Sequence, residues 1–241
     1  MLNPGQSWTR RLSPLARINQ VVETTIQQAL IEVFNQWGVP ASIRVDNGAP
    51  LGAPKQDHIP PLALWLIGLG IDVIFNRPGR PTDNAVVERM QQTTKNWAEV
   101  SNAPNFNQLT TKLKKVHFMQ RESYRVRRLD HKTRLEAFPE LTQNRRKYTQ
   151  QLFCWTRVMK KLAQYTFVRK VSKMGQFILY GQRYFIGQKL KRQYVTIQLD
   201  AQQILWHIFD ASGHFIDALP AKNFAPHHIY NLTVCQRINS A

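Results

Sequence analysis

The N-terminal part of the chain alternates between helical and strand-like hydrophobic patterns. Residues 21–37 carry apolar side chains at the spacing of one helical stripe. Two short apolar runs, 41–45 and 71–75, predict strands, and an apolar helix over 60–70 is predicted between them. This order is typical of an α/β fold, in which sites gather beyond the carboxyl ends of the strands.

A further helix is predicted from about Asp83 or Asn84, either of which can cap it, to residue 100. Glu88 falls on its polar face and in its first turn, where an acidic side chain interacts favourably with the helix N-terminus. The apolar positions follow a spacing of three and four residues, and they predict a buried stripe made of Val86, Met90, Thr93, Trp97 and Val100.

The pattern changes twice in the rest of the chain. Residues 105–172 are polar, basic and helix-prone, which predicts a helical linker. After that, short alternating runs separated by glycines predict a small all-β barrel, with a hairpin turn at 210–213. The predicted division of the chain is an α/β core over 1–104, the linker over 105–172, the barrel over 173–225 and a tail over 226–241.

The net charge of +18 is concentrated in one part of the chain. Residues 101–200 hold 22 of the 33 Lys and Arg but only 5 of the 15 Asp and Glu, whereas residues 1–100 are nearly neutral. Such a surplus favours DNA as a partner over a solvated basic surface without a partner. The basic side chains of the linker that are predicted to contact DNA are Arg121, Arg125, Arg127, Arg128, Lys132, Arg134, Arg145, Arg146 and Lys147.

Aromatic side chains are interleaved with these charges. They could stack on unpaired bases, although core packing is the more common role of aromatic residues and is the favoured prediction. The residues concerned are Tyr124, Tyr148, Trp155, Tyr165 and Phe167.

Membrane association is not expected from the sequence. The first residues contain no apolar region typical of a signal peptide, and the most apolar run, 59–71, is short and interrupted by Gly and Pro. Cys154 and Cys235 are far apart and have no metal-ligand spacing. These features favour a cytoplasmic, nucleoid-associated protein.

Asp46 begins a strong turn signal, Asp-Asn-Gly, directly after a predicted strand. Asn and Gly tolerate positive φ, and an Asp side chain can accept a hydrogen bond from the backbone just ahead. Asp46 is therefore either a turn residue or a metal ligand at a strand end. Taken alone, the residues favour the turn.

Two stretches resemble the catalytic core of bacterial insertion-sequence transposases and retroviral-type integrases. They are "IRVDNGAP" and "LALWLIGLGIDVIFNRPGRPTDNAVVERMQQTTKNWAEV". The later segments "RESYRVRRLDHKTRLEAFPEL" and "GQFILYGQRYFIG" are similar to the linker and small barrel of such transposases. The resemblance implies an incomplete ribonuclease H-like α/β core, followed by the basic helical linker and the barrel.

The resemblance also implies a chemistry, metal-dependent cleavage and strand transfer of DNA by an Asp-Asp-Glu site. Asp46 and Glu88 match two of the catalytic residues, which would be ligands of Mg²⁺ or Mn²⁺, and Lys95 matches a DNA-contacting lysine. Two-metal chemistry places the ions about 3.5–4 Å apart, so it needs carboxylates from several elements. The family also implies a homo-oligomer when two DNA ends are brought together.

The first aspartate of the family's triad has no counterpart in this sequence. Its register falls at or before Met1, and the acidic residues ahead of Asp46, Glu23 and Glu32, belong to the predicted helix over 21–37. We therefore expect a truncated transposase that binds DNA but does not cleave it alone. The alternative is a non-catalytic DNA-binding protein derived from a transposase.

Overall fold

The computed structural model describes residues 23–52, 58–77, 82, 85–143 and 146–235. Within these ranges the chain mixes helices with one parallel and two antiparallel sheets. The predicted caps Asp83 and Asn84, together with Arg145, lie outside the described residues.

A parallel strand–helix–strand unit forms the N-terminal part, as the hydrophobic pattern predicts. Ser42 pairs with Asp72 and Val45 with Phe75, so both strands end at the same edge. The backbone N–H of Asn76 continues the ladder by donating to the carbonyl of Val45 at 2.9 Å. The elements are α1 (Glu23–Trp37), β1 (Ser42–Val45), α2 (Pro61–Gly68), β2 (Asp72–Phe75) and α3 (Ala85–Ala98).

Helix α2 is buried on all sides, because it is apolar all round rather than amphipathic. It begins at Pro61, a residue whose fixed φ suits the first helical turn. Gly68, the last residue of α2, lies against the Phe153 ring, where a β-carbon would come within 2.3 Å of a ring atom. The helix therefore needs glycine at this position to pack closely.

Helix α1 uses a slightly different face from the predicted apolar stripe, to which Val33 belongs. Gln27 and Phe34 are its buried residues, whereas Val33 is 49% exposed. Phe34 stacks on Trp65 with ring centroids 6.3 Å apart, and the Gln27 amide donates to the carbonyl of Tyr230 at 2.8 Å. The large Phe34 ring and the Gln27 hydrogen bond set the rotation of the helix, and a count of aliphatic positions does not capture either.

The basic segment that follows is mainly helical, as its composition predicts. Asn105 caps α4 by accepting from the Gln108 N–H, and Thr133 and Glu136 form a reciprocal capping box at α5. The elements are a 3₁₀ turn (Val100–Asn102), α4 (Phe106–Phe118), a π turn (Met119–Ser123), a 3₁₀ turn (Arg127–Leu129), α5 (Arg134–Ala137), α6 (Glu140–Gln143), a 3₁₀ turn (Gln150–Leu152) and α7 (Trp155–Leu162).

The buried stripe predicted on α3 is wrong in part. Val86 is 67% exposed and Met90 is 50% exposed, whereas Thr94 and Ala98 are buried. Helix α3 packs mainly on α4, and the Thr94 hydroxyl hydrogen-bonds the buried Gln120 side chain. A polar contact therefore decides which side of α3 faces its neighbours, and the predicted apolar stripe instead borders a groove.

The C-terminal part is built from antiparallel strands, and its alternating pattern is confirmed. Phe167, Ile197 and Ile208 are paired across adjacent strands of a four-stranded sheet and are almost fully buried. Asp210 forms the predicted hairpin turn by accepting from the N–H groups of Ser212 and His214. The elements are β3 (Thr166–Lys170), β4 (Gln176–Leu179), β5 (Gln182–Phe185), a 3₁₀ turn (Gln188–Leu190), β6 (Tyr194–Asp200), β7 (Leu205–Phe209), β8 (Phe215–Pro220) and α8 (Pro226–Tyr230).

The strand arrangement is simple within the described residues. The four-stranded sheet has the order β3-β6-β7-β8, and β4 pairs with β5 in a separate two-stranded sheet. Strand β3 lies within 105–172, the segment predicted as a helical linker. It pairs with β6 along its whole length and therefore belongs to the sheet. Closure of these strands into a barrel stays a prediction.

One hydrophobic core joins both ends of the described chain. Side chains of α1, α2, α7 and the four-stranded sheet belong to the same buried cluster as Ile229, Leu232 and Val234. The Tyr148 and Tyr230 hydroxyls are hydrogen-bonded at 2.7 Å across this region. The described part of the predicted tail is therefore a packed element.

None of the helices described here is both long and apolar enough to cross a bilayer.

Candidate nucleic-acid interface and carboxylate pair

Asp46 lies directly after β1 and forms the turn that its sequence predicts. Its Oδ1 accepts from the Gly48 N–H at 3.0 Å. A β-carbon on Gly48 would lie 3.2 Å from the same oxygen, so glycine lets the backbone approach the carboxylate closely. Asn47 then donates to the carbonyl of Asn76 at 3.0 Å. This bond ties the loop after β1 to the end of β2.

Glu88 lies in the first turn of α3 and is exposed, as its position on the polar face predicts. Helix α3 has α4 as its main packing partner among the described elements. Asp46 thus stands at the carboxyl edge of the β1–β2 pair, and Glu88 stands on a helix that belongs chiefly to the basic helical segment.

The donor set for metal ions is small in the part of the chain that the structure describes. No group of three or more His, Cys, Asp or Glu side chains is placed to hold an ion there. A two-metal site needs several carboxylates, because hard divalent ions are bound mainly by carboxylate oxygen and water. The described residues alone do not fit such a pair of ions.

Two of the predicted DNA-contacting residues, Arg146 and Lys147, donate hydrogen bonds to backbone carbonyls, most of them at the ends of helices. The Arg146 guanidinium donates to the carbonyl of Leu69, and also to those of Gly70 at 3.3 Å and Pro40 at 3.4 Å. Lys147 donates to carbonyls in the last turn of α1, at 3.2 and 3.4 Å. The final carbonyls of a helix have no partner within the helix, and a cation near them also interacts favourably with the helix dipole.

Arg125 and Arg134 stabilise the turn around α5. Arg125 donates to the His131 carbonyl at 2.9 Å and to both Glu136 oxygens at 3.3 Å. Hydrogen bonding from the Thr133 backbone N–H, helped by the charge of Arg125, lowers the pKa of the Glu136 carboxyl. Arg134 donates to the Gln120 carbonyl in the π turn at 2.5 Å.

Arg121 links the π turn to α1. Its guanidinium carbon lies 4.7 Å from the centroid of the Trp37 ring, and one of its nitrogens lies 3.8 Å from Glu122. A guanidinium over an indole face is an attractive cation–π contact. Arg121 therefore contributes to packing between the two helical parts of the molecule.

The remaining predicted contacts among the described residues are exposed to solvent. These side chains can bind phosphates without breaking a hydrogen bond of the kind described for the residues above. This set, which we call the exposed cations, consists of Lys95, Arg127, Arg128 and Lys132.

A further basic face on α7 was missed by the sequence analysis. Arg157, Lys160 and Lys161 line a shallow hollow together with Gly70 and other residues near the end of α2. Arg157 also donates to the carbonyls at the ends of α2 and of the preceding 3₁₀ turn. The spacing of three and four residues, opposite the buried face of α7, was the signal that could have revealed this cluster.

Four of the five aromatic residues pack in or against the core, which is the role that the sequence favoured, and Tyr124 is the exception. Phe167 is buried, and Tyr148, Trp155 and Tyr165 pack against the core. Tyr124 is 47% exposed and meets Trp97 edge-on at a centroid distance of 5.1 Å.

Replacing Arg146 with alanine should lower stability rather than DNA affinity. The change leaves carbonyls at the end of α2 without their charged donor, at a cost of about 1.5–3 kcal/mol. We expect Arg127→Ala, at an exposed position, to change stability by less than about 0.5 kcal/mol. Urea denaturation measures the free energy of unfolding of both variants. Unchanged stability with weaker, less salt-sensitive DNA binding in Arg146→Ala would identify Arg146 as a DNA contact instead.

Comparison of the sequence with models of known protein families found no match.

Proposed function

We propose that this chain is a DNA-binding protein of the Asp-Asp-Glu transposase and integrase type. The observation that carries the proposal is the charge surplus of residues 101–200 together with the exposed cations on the helical segment. Lys and Arg clustered on a surface bind the phosphate backbone without regard to sequence. The resemblance of "IRVDNGAP" and "NAVVERM" to segments of this family supports the assignment to this type.

The proposed ancestral activity is cleavage and strand transfer of an insertion element. Asp46 and Glu88 are the proposed catalytic residues and ligands of Mg²⁺ or Mn²⁺. The packing of α3 on α4, and the lack of a group of three possible metal ligands among the described residues, favour severely impaired catalysis by these residues. The same two observations favour the second candidate function, a non-catalytic DNA-binding protein derived from a transposase.

Metal-dependent cleavage is the measurement that separates these two functions. We expect the chain, incubated with Mg²⁺ or Mn²⁺ and DNA carrying an element end, to produce no more nicks than DNA alone. Asp46→Asn should leave salt-sensitive DNA binding unchanged, because an acidic turn residue neutralises no phosphate and its removal releases no counterion contact.

Asp72→Asn provides a matched control at the opposite end of the same strand pair. Cleavage that is lost in Asp46→Asn and in Glu88→Gln, but kept in Asp72→Asn, would contradict the expectation of an inactive site. It would establish the chain as an active recombinase.

The proposal includes a homo-oligomer that forms when two DNA ends are brought together in the nucleoid. Light scattering of the chain with and without duplex DNA tests this part. A particle mass that stays at one protomer per duplex at all protein concentrations would contradict it.

A further inference from the structure

A groove runs between α3 and the π turn of the basic segment. It encloses about 360 Å³, which is within the size range of sites for small ligands. The side chains that line it come from α3, the π turn, the residue after that turn, the 3₁₀ turn Arg127–Leu129 and α5. They are Val86, Arg89, Met90, Thr93, Trp97, Gln120, Tyr124, Arg128 and Arg134.

One wall of this groove is apolar and aromatic. Val86 and Met90 are at least half exposed, although they are large hydrophobic residues. Beside them the Trp97 and Tyr124 rings meet with an interplanar angle of 68°. An apolar patch of this kind on a strongly charged protein marks a binding surface, because water is a poor partner for these side chains.

The rest of the groove is cationic. Arg89, Arg128 and Arg134 line it, and none of its nine lining residues is acidic. Arg134 is held in place through its bond to the Gln120 carbonyl. Guanidinium groups bind phosphate oxygens in pairs of parallel hydrogen bonds, which gives a site for a phosphate at a fixed position.

We propose that this groove binds one unstacked nucleotide of single-stranded DNA. The base lies against Val86, Met90 and the Trp97–Tyr124 pair, and its flanking phosphates lie on the arginines. Aromatic stacking combined with a basic track is the usual way in which proteins hold single strands. The proposal deepens the DNA-binding function and rests on it.

Charge favours a nucleotide over an acidic amphipathic peptide as the occupant. Arg127 and Lys132, which are close in sequence to the groove residue Arg128, are also exposed, so a polyanion finds further positive charge on the same segment. A peptide would have to place a carboxylate opposite each arginine, whereas the backbone of a single strand supplies one negative charge with every nucleotide.

The test uses the full chain and a fluorescently labelled single-stranded oligonucleotide, with a duplex of equal length measured in parallel. Val86→Glu places a negative charge in the groove and should weaken single-strand binding about tenfold. Val87→Glu is the matched control. Val87 is the next residue of α3, is 43% exposed and does not line the groove, so this variant should bind like the wild type.

A second readout reports the base directly. With 2-aminopurine in the oligonucleotide, stacking on the aromatic pair should quench the emission on binding, and Tyr124→Ser should remove most of this quenching. Tyr124 is nearly half exposed, so its replacement should leave the fold intact, which far-UV circular dichroism checks.

The possible results separate the two proposals. Equal single-strand affinities for Val86→Glu and Val87→Glu would overturn the nucleotide site, and duplex binding would then stand alone as the proposed function. Absence of both single-strand and duplex binding would overturn both proposals. Binding of a Glu- and Trp-rich peptide that Val86→Glu abolishes, without single-strand binding, would assign the groove to a protein partner.

Discussion

Raising the salt concentration from about 50 to about 200 mM should weaken duplex DNA binding about a thousandfold. A protein that neutralises several phosphates releases the same number of condensed counterions, so the logarithm of the affinity falls linearly with the logarithm of the salt concentration. The slope is about −0.9 per phosphate contact, and a loss of this size corresponds to about six contacts. Fluorescence anisotropy at four or five salt concentrations measures the slope.

Variants that remove exposed cations should reduce the magnitude of this slope in proportion to the number of cations removed. Arg127→Ala combined with Lys132→Ala removes two cations and should lower the magnitude of the slope by about 1.8. Lys114→Ala combined with Lys115→Ala makes the same charge change on exposed residues of α4 and serves as the control, for which we expect a smaller effect. Binding that does not depend on salt would contradict the proposed DNA-binding function.

The strand–helix–strand unit could be predicted because its determinants are local. Prolines start α2, apolar residues fill it, and short apolar runs form the parallel pair Ser42–Val45 and Asp72–Phe75. The turn at Asp46 was also predictable, since its hydrogen bond joins residues only two positions apart. The alternating pattern of β6 and β7 is also a local signal, and it predicted that Ile197 and Ile208 face the interior of the protein.

The roles of the basic residues could not be predicted in this way, because their partners are distant in sequence. Arg146 binds the carbonyls of Leu69 and Gly70, and Lys147 binds carbonyls of α1, all more than seventy residues away. Composition gives the number of positive charges but not which of them face an unsatisfied carbonyl. Charge therefore predicts a polyanionic partner, and packing decides which cations are left exposed to bind one.

The misplaced face of α3 has a similar cause. The spacing of Val86 and Met90 indicates an apolar stripe, but periodicity does not distinguish a stripe that meets the core from one that borders a groove. The hydrogen bonds between Thr94 and Gln120 orient α3, and they join residues on two different elements. The sequence thus singled out four α3 residues that line the candidate nucleotide site but assigned them to the interior; they are Val86, Met90, Thr93 and Trp97.

Truncating Trp206 to alanine should lower the free energy of unfolding by about 3–5 kcal/mol. Trp206 is fully buried, and its ring centroid lies 5.7 Å from that of Phe167 and 5.5 Å from that of Phe224. Its indole N–H donates to the Tyr184 hydroxyl at 3.1 Å. The change therefore removes a large ring from the one core that connects the sheet to α2 and the C-terminal residues. Urea denaturation followed by circular dichroism measures the loss.

Trp206→Phe separates packing from hydrogen bonding. It keeps an aromatic ring but removes the indole N–H, and the Tyr184 hydroxyl still accepts from the Lys222 backbone N–H at 3.0 Å. We expect its cost to stay below that of the alanine variant, at about 1–2 kcal/mol. Val168→Ala, on a half-exposed position of β3, should cost about 0.5 kcal/mol or less.

The buried cluster around Trp206 includes side chains of α1, α2, α7 and the sheet, but none of residues 85–143. Because α2 and α7 share this cluster with the sheet, Trp206→Ala should make these elements unfold together, in one transition at a lower urea concentration. A sheet that unfolds in a separate transition, before α2 and α7, would contradict a shared core.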